Sequence, residues 1–364
     1  RTRFIRRTHF GALVIDFIKD KDDSEAKLPS LITLSSSVKL ADSKTKANVP
    51  ETQDCMTQEN KPALHLEPAF KLVPEITLIE SLPEHLQKRF THALTLMHEE
   101  WGERRTWEEI ATESAISPYH FHRQFTELFN ETPGQYLSRV RLQIAVGLLI
   151  NDEPWSVIEI AQYCGYSSSQ SLGKALKREL GVTAKHIREM GYNATPKETA
   201  DFIQKLAHPG VQSSMEKELV KSMPIELVWY PERGMQKLKL EDPDWDTVFE
   251  IYGQKSTHLM GTTPIKQMNN KWDDIDAEIG NWQVAKDRYD MTIPEGYYLC
   301  SDVYLVSDVA YSTALEALFK AVEQQGLKLD VQGYLVEMIR QIDTDDVEGV
   351  TFSFQLPVLA TLEK

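Results

Sequence analysis

The sequence predicts a multidomain fold, in which an all-α region with two helix-turn-helix units precedes an α+β region of two similar strand-helix-strand-strand halves. Three observations predict this. A chain of 364 residues exceeds one typical hydrophobic core, a two-helix pattern recurs after 50 residues, and strand-like and helix-like segments alternate further along in a repeated order. The hydrophobic content of 41% and charged content of 26% are ordinary for globular domains, so neither a fibrous nor a largely disordered chain is expected.

Residues 1–83 are predicted to be a poorly defined, largely disordered extension. The stretch 20–61 is rich in Ser, Thr, Lys and Asp and is typical of a linker, and the four prolines within 62–83 favour an extended chain. Residues 1–18 carry basic and then apolar side chains, in a faint likeness to a signal peptide. Acidic residues interrupt the apolar stretch and no small-residue cleavage site follows, so we do not expect secretion.

The two-helix repeat begins after this extension. The tripeptide Glu-Ile-Ala at 109–111 recurs at 159–161, and after one inserted residue Arg123 corresponds to Lys174. Each copy has the pattern of a short helix, a tight turn and a second helix. One helix over about 133–150 joins the copies.

The second helix of the first unit is predicted to have one apolar face and one face rich in donors. Ser117 is a suitable N-cap and Pro118 a suitable first helical residue. The apolar side chains recur at helical spacing, at Phe121, Phe125, Leu128 and Phe129. The opposite face carries Tyr119, His122 and Arg123 and no acid, which suits contacts with base edges in a major groove. A solvated surface helix is the alternative for one unit alone, but two units in register favour recognition.

The second unit has a poorer outer face. Its apolar side is formed by Leu172, Ala175, Leu176 and Leu180, and its outer side by Gln170, Ser171 and Lys174. Gly165 is placed at the turn, and Gly173 lies within the second helix at a cost of about 1 kcal/mol relative to alanine. We therefore expect this unit to bind the DNA backbone more than it reads bases.

Residues 84–194 resemble the DNA-binding domain of the AraC family, which has two helix-turn-helix motifs bridged by a long helix. The motifs that carry the resemblance are Ser-Pro-Tyr-His-Phe-His-Arg-Gln-Phe at 117–125 and Thr-Pro-Gly-Gln-Tyr-Leu at 132–137. The resemblance implies a sequence-specific transcriptional regulator that binds double-stranded DNA, with RNA polymerase as a further candidate partner. It implies base contacts from Tyr119, His122, Arg123, Gln170, Ser171 and Lys174. It implies phosphate contacts from Arg139, Arg141, Lys177 and Arg178.

The net charge of −15 is unevenly distributed. Residues 1–83 have a net charge of 0, residues 84–194 of −2, and residues 195–364 of −13. The acidity therefore belongs to the C-terminal part. Because the region that resembles a DNA-binding domain is nearly neutral, we expect modest, strongly salt-dependent affinity.

Residues 195–223 are predicted to be a linker, and residues 224–364 an α+β domain. Strands are predicted at 225–230, 258–267, 288–293, 297–306, 333–341 and 350–358, and helices at 245–254 and 314–325. The segments 288–296, 297–319 and 333–339 are similar to the GyrI-like small-molecule-binding domain found in Rob-like regulators. That resemblance implies a cleft for a hydrophobic, often cationic effector.

Glu337 interrupts an otherwise apolar strand, so it either faces solvent or lies in a pocket. The resemblance favours the pocket, where a cationic ligand would be its partner. Aromatic residues that could add cation–π contacts are Trp229, Trp282, Tyr298 and Tyr304.

Other functions are less favoured by the sequence. A GyrI-like hydrolase with Glu337 as general base is one alternative, and an acidic protein-interaction module is another, but no nucleophile or paired-histidine motif accompanies them. Because such motifs are missing and the region follows a DNA-binding domain, we expect a sensor and no enzyme activity. The three cysteines are few and widely separated, which suggests reduced thiols in a cytoplasmic protein, and no metal-ligand spacing is present, so we expect no metal or cofactor. A DNA-binding regulator of this kind is expected to be associated with the nucleoid in the cytoplasm. The sequence has no apolar run of about 20 residues, so we expect no membrane span.

Overall fold

A computed structural model of the protein describes residues 69–98, 105–151, 155–239, 245–343 and 349–359, apart from the side chains of residues 246, 247 and 250. The disorder predicted for the extension before residue 69 and the extended chain over 62–68 lie outside the described residues. None of the described helices is long and apolar enough to cross a membrane.

The helical region follows the predicted order. Its helices are α1 (Pro74–Glu80), α2 (Glu84–His98), α3 (Trp107–Glu113), α4 (Pro118–Phe129), α5 (Pro133–Ile150), α6 (Val157–Tyr163), α7 (Ser169–Glu179) and α8 (Ala184–Asn193). The first unit is α3 with α4, the second is α6 with α7, and α5 is the bridge helix between them. The bridge helix has the predicted bounds.

Matched caps show that the sequence repeat is also a structural repeat. Thr106 and Glu109 form a capping box at the start of α3, and Ser156 and Glu159 form the same box 50 residues later at the start of α6. Ser117 is the N-cap of α4 as predicted, although its side chain makes no capping hydrogen bond.

The two units share one hydrophobic core. Phe90, Phe121 and Phe125 stack in the first half of this core, and Leu172 and Leu176 fill the second half. The bridge helix is buried on almost every side from residue 144 to residue 150, so it contacts both halves. Because protein cores are close-packed, the position of this helix fixes how the units lie relative to each other.

Two segments expected to lack regular structure are helical. Residues 74–80 form α1 instead of the extended chain predicted for 62–83. The predicted linker over 195–223 contains α9 (Pro196–Ile203), α10 (Met215–Leu219) and 3-10 turns at 204–206 and 220–222. Thr195 and Glu198 begin α9 with a capping box, a signal that the sequence contains.

The C-terminal region is a mixed sheet with two helices. Its helices are α11 (Trp245–Tyr252) and α12 (Asp308–Gln324). Its strands are β1 (Phe70–Lys71), β2 (Glu226–Tyr230), β3 (Arg233–Lys237), β4 (Leu259–Pro264), β5 (Glu278–Asn281), β6 (Met291–Ile293), β7 (Gly296–Leu305), β8 (Lys328–Leu329), β9 (Tyr334–Asp343) and β10 (Gly349–Leu359). The strand order is β1-β7-β10-β9-β4-β5-β3-β6, with β2 paired to β7 and β8 paired to β10. The short strands β3, β5 and β8 were not predicted.

The sheet has two differently covered faces. Leu335 and Ile339 of β9 point to the face that packs against α11 and α12, together with Phe352 and Phe354 of β10. Val336 and Met338 of β9 point to the opposite face. There they join Tyr230, Met235, Met260, Ile293, Tyr298 and Cys300. Since side chains alternate along a strand, Glu337 lies on the helix-covered face.

Candidate nucleic-acid interface and buried carboxylate

The outer face of α4 presents the side chains predicted to read bases. Tyr119 is 74% exposed and Arg123 is exposed, while the His122 ring is half-buried against Trp107, with 5.3 Å between ring centroids. The buried phenylalanines of the same helix hold it against the core from behind. Arg123 therefore offers a fixed fork of donors, whereas His122 has less freedom to turn toward a base.

The outer face of α7 is poorer in free donors, as predicted. Gln170 and Lys174 are exposed, but the Ser171 hydroxyl donates to the Ser168 carbonyl oxygen at 2.7 Å and accepts from the Ser168 amide nitrogen at 3.1 Å. The single proton of Ser171 is thus committed to the helix cap. Ser171 could therefore contact a base only by accepting a hydrogen bond from it.

Three of the four predicted phosphate contacts retain some solvent access. Lys177 and Arg178 are exposed at the end of α7, where Lys177 Nζ donates to the Gly181 carbonyl oxygen at 2.8 Å and Arg178 Nε lies 2.5 Å from Glu179 Oε1. Arg141 is half-buried in the bridge helix. Because exposed ion pairs and hydrogen bonds contribute little to stability, Lys177 and Arg178 can give up these partners and bind a phosphate instead.

Arg139 corrects the sequence-based prediction. Its side chain is only 10% exposed and lies against Glu131, which is 7% exposed, with 2.7 Å between Nη2 and Oε1 and 3.2 Å between Nε and Oε2. Burial opposes the charge, but the hydrogen bonds and charge of Glu131 outweigh it and raise the pKa of Arg139 above its ordinary value. The Arg139 guanidinium forms a buried ion pair with Glu131, so it is not placed to contact a phosphate.

Glu337 is buried, so the solvent-facing alternative does not hold. It is 1% exposed, and its Oε1 accepts a short hydrogen bond from the Tyr311 hydroxyl of α12. Phe354 is its neighbour across the sheet, and the Tyr311 ring packs edge-on against Phe354 with 5.3 Å between centroids. No cation forms an ion pair with Glu337 in the described part of the chain.

Burial changes the ionisation of this pair. Loss of solvent raises the pKa of Glu337 to about 7, and the hydrogen bond from Tyr311 offsets only part of that effect. Burial, followed by the charge of Glu337, raises the pKa of Tyr311 well above its ordinary value. A carboxyl that titrates near neutral pH can be ionised by an approaching cation at little cost.

Trp245 completes the surroundings of the carboxylate. Its ring lies over Gly261, the β4 neighbour of Glu337, where an added Cβ would come within 2.9 Å of Cζ2. Trp245 is 0% exposed, and its indole N–H has no hydrogen-bond partner among the described residues. The Trp245 ring thus adds an apolar wall on the side of the β4 neighbour of Glu337.

The predicted aromatic ligand wall does not assemble around Glu337. Tyr298 and Trp282 pack on the opposite face of the sheet, and Tyr304 belongs to that face by alternation along β7. Trp229 is 48% exposed on the edge strand β2. The sequence analysis did not predict that Tyr311 and Trp245 lie near Glu337. The predicted helix began at 314, after Tyr311, and the sequence alone does not show which side chains a helix places over the sheet.

Tyr298 has a different partner, Arg233. The Arg233 guanidinium carbon lies 4.0 Å from the Tyr230 ring centroid and 4.9 Å from that of Tyr298. Nearby, an open cavity of about 270 Å³ is lined in part by Lys237 and Glu278. These two side chains already pair at 2.8 Å.

The described residues hold no group of acids, histidines and cysteines arranged to bind a metal ion. Cys164 and Cys300 are both buried, and burial raises the pKa of each thiol to about 12, which leaves them unreactive as nucleophiles.

Comparisons with known proteins concern the helical region. A family model described as a helix-turn-helix domain matches residues 110–190. The transcriptional activator RhaS of Escherichia fergusonii is 31% identical over 137 residues, which are 38% of this chain and 48% of that protein. RhaS of Escherichia coli O157:H7 is 31% identical over 112 residues, 30% of this chain and 40% of that protein. The chain thus spans about half or less of the length of these curated relatives.

Two solved structures align with the same region. An AraC-type transcriptional regulator from Chromobacterium violaceum is 24% identical and covers 31% of this chain and 99% of its own, with a TM-score of 0.28. The DNA-binding domain of AdpA, solved with a target DNA, is 29% identical and covers 27% of this chain and 86% of its own, with a TM-score of 0.26. The family match and the paired, capped units on one bridge helix show that residues 110–190 form a helix-turn-helix domain, and over this region the chain is similar to transcriptional activators.

Proposed function

We propose that this protein is a sequence-specific transcriptional regulator whose two helix-turn-helix units bind one DNA duplex and whose C-terminal region binds a small effector. The observation that carries the DNA-binding proposal is the pair of capped units held on one bridge helix in one core. Both second helices expose cationic side chains on the side away from that core. Two such helices in one chain suit successive major grooves about one helical turn apart.

The two units contribute differently in this proposal. Arg123 of α4 pairs with a guanine through two hydrogen bonds, and Tyr119 contacts a neighbouring base. Lys174, Lys177 and Arg178 of the second unit bind mainly phosphates, which position the protein without reading sequence. Specificity therefore resides mostly in the half-site bound by α4.

Selection of bound DNA from a random pool tests this assignment. We expect Arg123→Ala to lose about 1–3 kcal/mol of affinity and to relax the preference at one base position. Glu127→Ala, on the same helix and also exposed, is the matched control and should keep the wild-type motif. Base reading by Arg123 would be disproved by identical motifs for wild type and Arg123→Ala.

The stoichiometry of the complex follows from the same geometry. Because both units lie in one chain, one copy of the full chain should occupy one site. Titration of the full chain on a single selected site, with the mass of the complex measured by light scattering, should give one protein per duplex. A requirement for two copies would show that each chain uses only one unit.

For the effector, we propose a hydrophobic cation bound against Glu337. What supports this is a buried carboxylate with one hydroxyl partner, surrounded by the aromatic rings of Tyr311, Phe354 and Trp245. An isolated buried carboxylate is unfavourable, and a cationic ligand would supply the missing charge while the rings contact its apolar parts.

Calorimetry with matched ligands tests the effector proposal. Benzyltrimethylammonium and its neutral isostere neopentylbenzene differ in charge but hardly in shape. We expect Glu337→Gln to weaken binding of the cation much more than binding of the neutral compound, because the counter-charge is lost. Glu323→Gln, exposed on α12, is the control and should change neither. Equal losses for both ligands would contradict the charge-based role of Glu337.

A further inference from the structure

His208 joins helix α1, which is more than a hundred residues away in the sequence, to helix α10, which follows it closely. Its Nε2 lies 2.6 Å from Glu75 Oε1 of α1, and its Nδ1 lies 2.6 Å from Glu216 Oε1 of α10. The exposed fractions are 5% for His208, 9% for Glu75 and 0% for Glu216, so the triad is buried. Removing either partner of a buried ionic group is strongly destabilising, because an unpaired charge is left in the interior.

The geometry of the triad specifies its charge. A neutral imidazole donates from only one ring nitrogen, whereas here both nitrogens face a carboxylate oxygen, so His208 is the imidazolium. Burial and Arg139 oppose this charge, but Glu75 and Glu216 outweigh them and raise the pKa of His208 to about 9.

Other titratable groups face the triad from the helices packed around it. Tyr136 and Arg139 approach from the bridge helix α5 and His98 from α2, and Glu131 is already bound to Arg139. Burial lowers the pKa of His98 and raises that of Tyr136, so both remain neutral near pH 7.

The triad and the segment around it hold one side of the bridge helix. Tyr136 donates to Glu75 Oε1 at 2.8 Å. The Leu206 carbonyl oxygen accepts from Gln143 Nε2 at 2.7 Å and from Arg139 Nη1 at 3.4 Å. Because residues 136, 139 and 143 follow the helical repeat, these bonds hold one face of α5 over two turns.

The same segment is bound on its other side to the sheet region. Gln204 Nε2 donates to Thr313 Oγ1 of α12 at 2.7 Å, two residues from Tyr311. Trp272 Nε1 donates to Thr199 Oγ1 of α9 at 3.0 Å, and Trp272 N donates to the Ala194 carbonyl oxygen at 3.1 Å. Residues 194–216, the connector, thus have hydrogen bonds to both regions.

We propose that His208, Gln143 and Gln204 are positioning residues for DNA recognition: the connector fixes the bridge helix, and thereby the separation of α4 and α7, which determines the half-site spacing that the protein accepts. None of the three lies on the outer face of α4 or α7. This role depends on the proposed function only in that the two units bind one duplex. The position of the bridge helix itself can be measured without DNA.

The measurement without DNA uses spin labels on the two recognition helices. Glu127→Cys and Glu179→Cys place exposed labelling sites on α4 and α7, with Cys55→Ser added because Cys164 and Cys300 are buried. In the full chain we expect one narrow distance distribution. His208→Gln, Gln143→Leu and Gln204→Ala should each broaden or shift it, and His186→Gln, on an exposed histidine, should not. Gln143→Leu and Gln204→Ala keep the buried triad intact and serve if His208→Gln does not fold. An unchanged distribution in folded variants would overturn the proposal.

The measurement with DNA uses the selected site and versions with one base pair added to or removed from the spacing. Wild type should bind the native spacing with about tenfold higher affinity than either altered spacing, a ratio that is usual for coupling between two sites. The three variants should lose most of this preference while they keep wild-type affinity for the α4 half-site alone. A uniform loss on all sites would indicate a merely structural role. Failure of wild type to bind any DNA would count against the proposed function instead, and the spin-label distances would still decide the role of the connector.

Discussion

Ala115 and Gly165 occupy the same position in the two helix-turn-helix units, 50 residues apart, and both have a left-handed backbone, with φ of 54° and 74°. Glycine adopts this conformation without strain, but an alanine Cβ collides with the neighbouring carbonyl oxygen. The first unit therefore carries a strain that the second does not. The next turn shows a similar pair at a spacing of 51, Asn130 with φ of 56° and Gly181 with φ of 76°.

Ala115→Gly should stabilise the helical region by about 1 kcal/mol, because the left-handed strain disappears. Gly165→Ala should destabilise it by a similar amount. Thermal unfolding followed by far-ultraviolet circular dichroism measures both. Ala317→Gly, within the right-handed helix α12, is the control and should be destabilising by about 0.5–1 kcal/mol. A destabilised Ala115→Gly variant would show that the turn does not carry this strain.

Gly173→Ala should stabilise α7 by about 1 kcal/mol, because glycine is a poor helix former and a Cβ at this position meets no atom within 4 Å. Gly173 corresponds in the repeat to His122, so the second unit lacks a side chain where the first has an imidazole. The same unfolding measurement applies. Gly191→Ala is the contrasting control, since its Cβ would lie 2.2 Å from the Ile150 carbonyl oxygen and should destabilise the fold.

The repeat allowed the order of the helices and the bounds of the bridge helix to be predicted closely. Caps, a helix-starting proline and apolar spacing are local signals, so the bounds of the bridge helix and the exposed face of α4 were readable from the sequence. Arg139 was not readable, because its burial depends on Glu131 in the preceding turn and on the Leu206 carbonyl from a distant segment. A basic residue on a helix has the same local pattern whether it faces solvent or the connector.

The long strands and both helices of the sheet region were predictable, but its short strands and the partners of Glu337 were not. The predicted order of strand, helix, strand, strand in each half is wrong because β3, β5 and β8 are added to it. Long apolar strands such as β9 and β10 have a clear pattern, whereas β3 and β5 are short and polar and gave none. Alternation placed Glu337 on one face, but which helix covers that face depends on long-range pairing. The aromatic wall was therefore assigned to the wrong face, and Tyr311, the actual partner of Glu337, was missed.

The two kinds of arginine and lysine in the helical region should respond differently to substitution. Arg139→Ala leaves the buried Glu131 carboxylate unpaired and should destabilise the fold by about 3–5 kcal/mol. Lys177→Ala should leave stability nearly unchanged while reducing the salt dependence of DNA binding by about one phosphate contact. Unfolding and DNA titrations at several salt concentrations separate the two effects. A stable Arg139→Ala variant with a reduced salt slope would restore the phosphate role first predicted for Arg139.

Stability should fall as pH rises through the titration of His208. The folded protein holds the imidazolium to a pKa of about 9, whereas the unfolded chain releases the proton near 6.5. The stabilisation is therefore fully present below pH 6.5 and is lost as the pH approaches and passes 9. With about 1.4 kcal/mol per pKa unit, the loss should approach about 3 kcal/mol. His208→Gln should lack this slope, and His186→Gln should retain it. Melting temperatures of these variants from pH 6 to 10 test the prediction, and parallel curves would contradict it.

Glu337 should produce a pH dependence in a lower window. Its folded-state pKa is raised to about 7, so between about 4.5 and 7 the folded protein holds a proton that the unfolded chain has released. Stability should fall across this window as pH rises, by about 3 kcal/mol in total, and change little from this group above it. Glu337→Gln keeps a neutral side chain of the same shape, so it should be more stable than wild type at pH 8 and similar to it at pH 4.5. Glu323→Gln controls for surface charge.

A hydrophobic cation at saturating concentration should lower the pKa of Glu337 and shift the window to lower pH in wild type only, because the cation favours the ionised carboxylate. Denaturant unfolding at fixed pH values, with and without benzyltrimethylammonium, measures both effects. If Glu337→Gln and wild type had the same pH profile, the carboxyl would be solvated in solution and the proposed effector site would lose its physical basis.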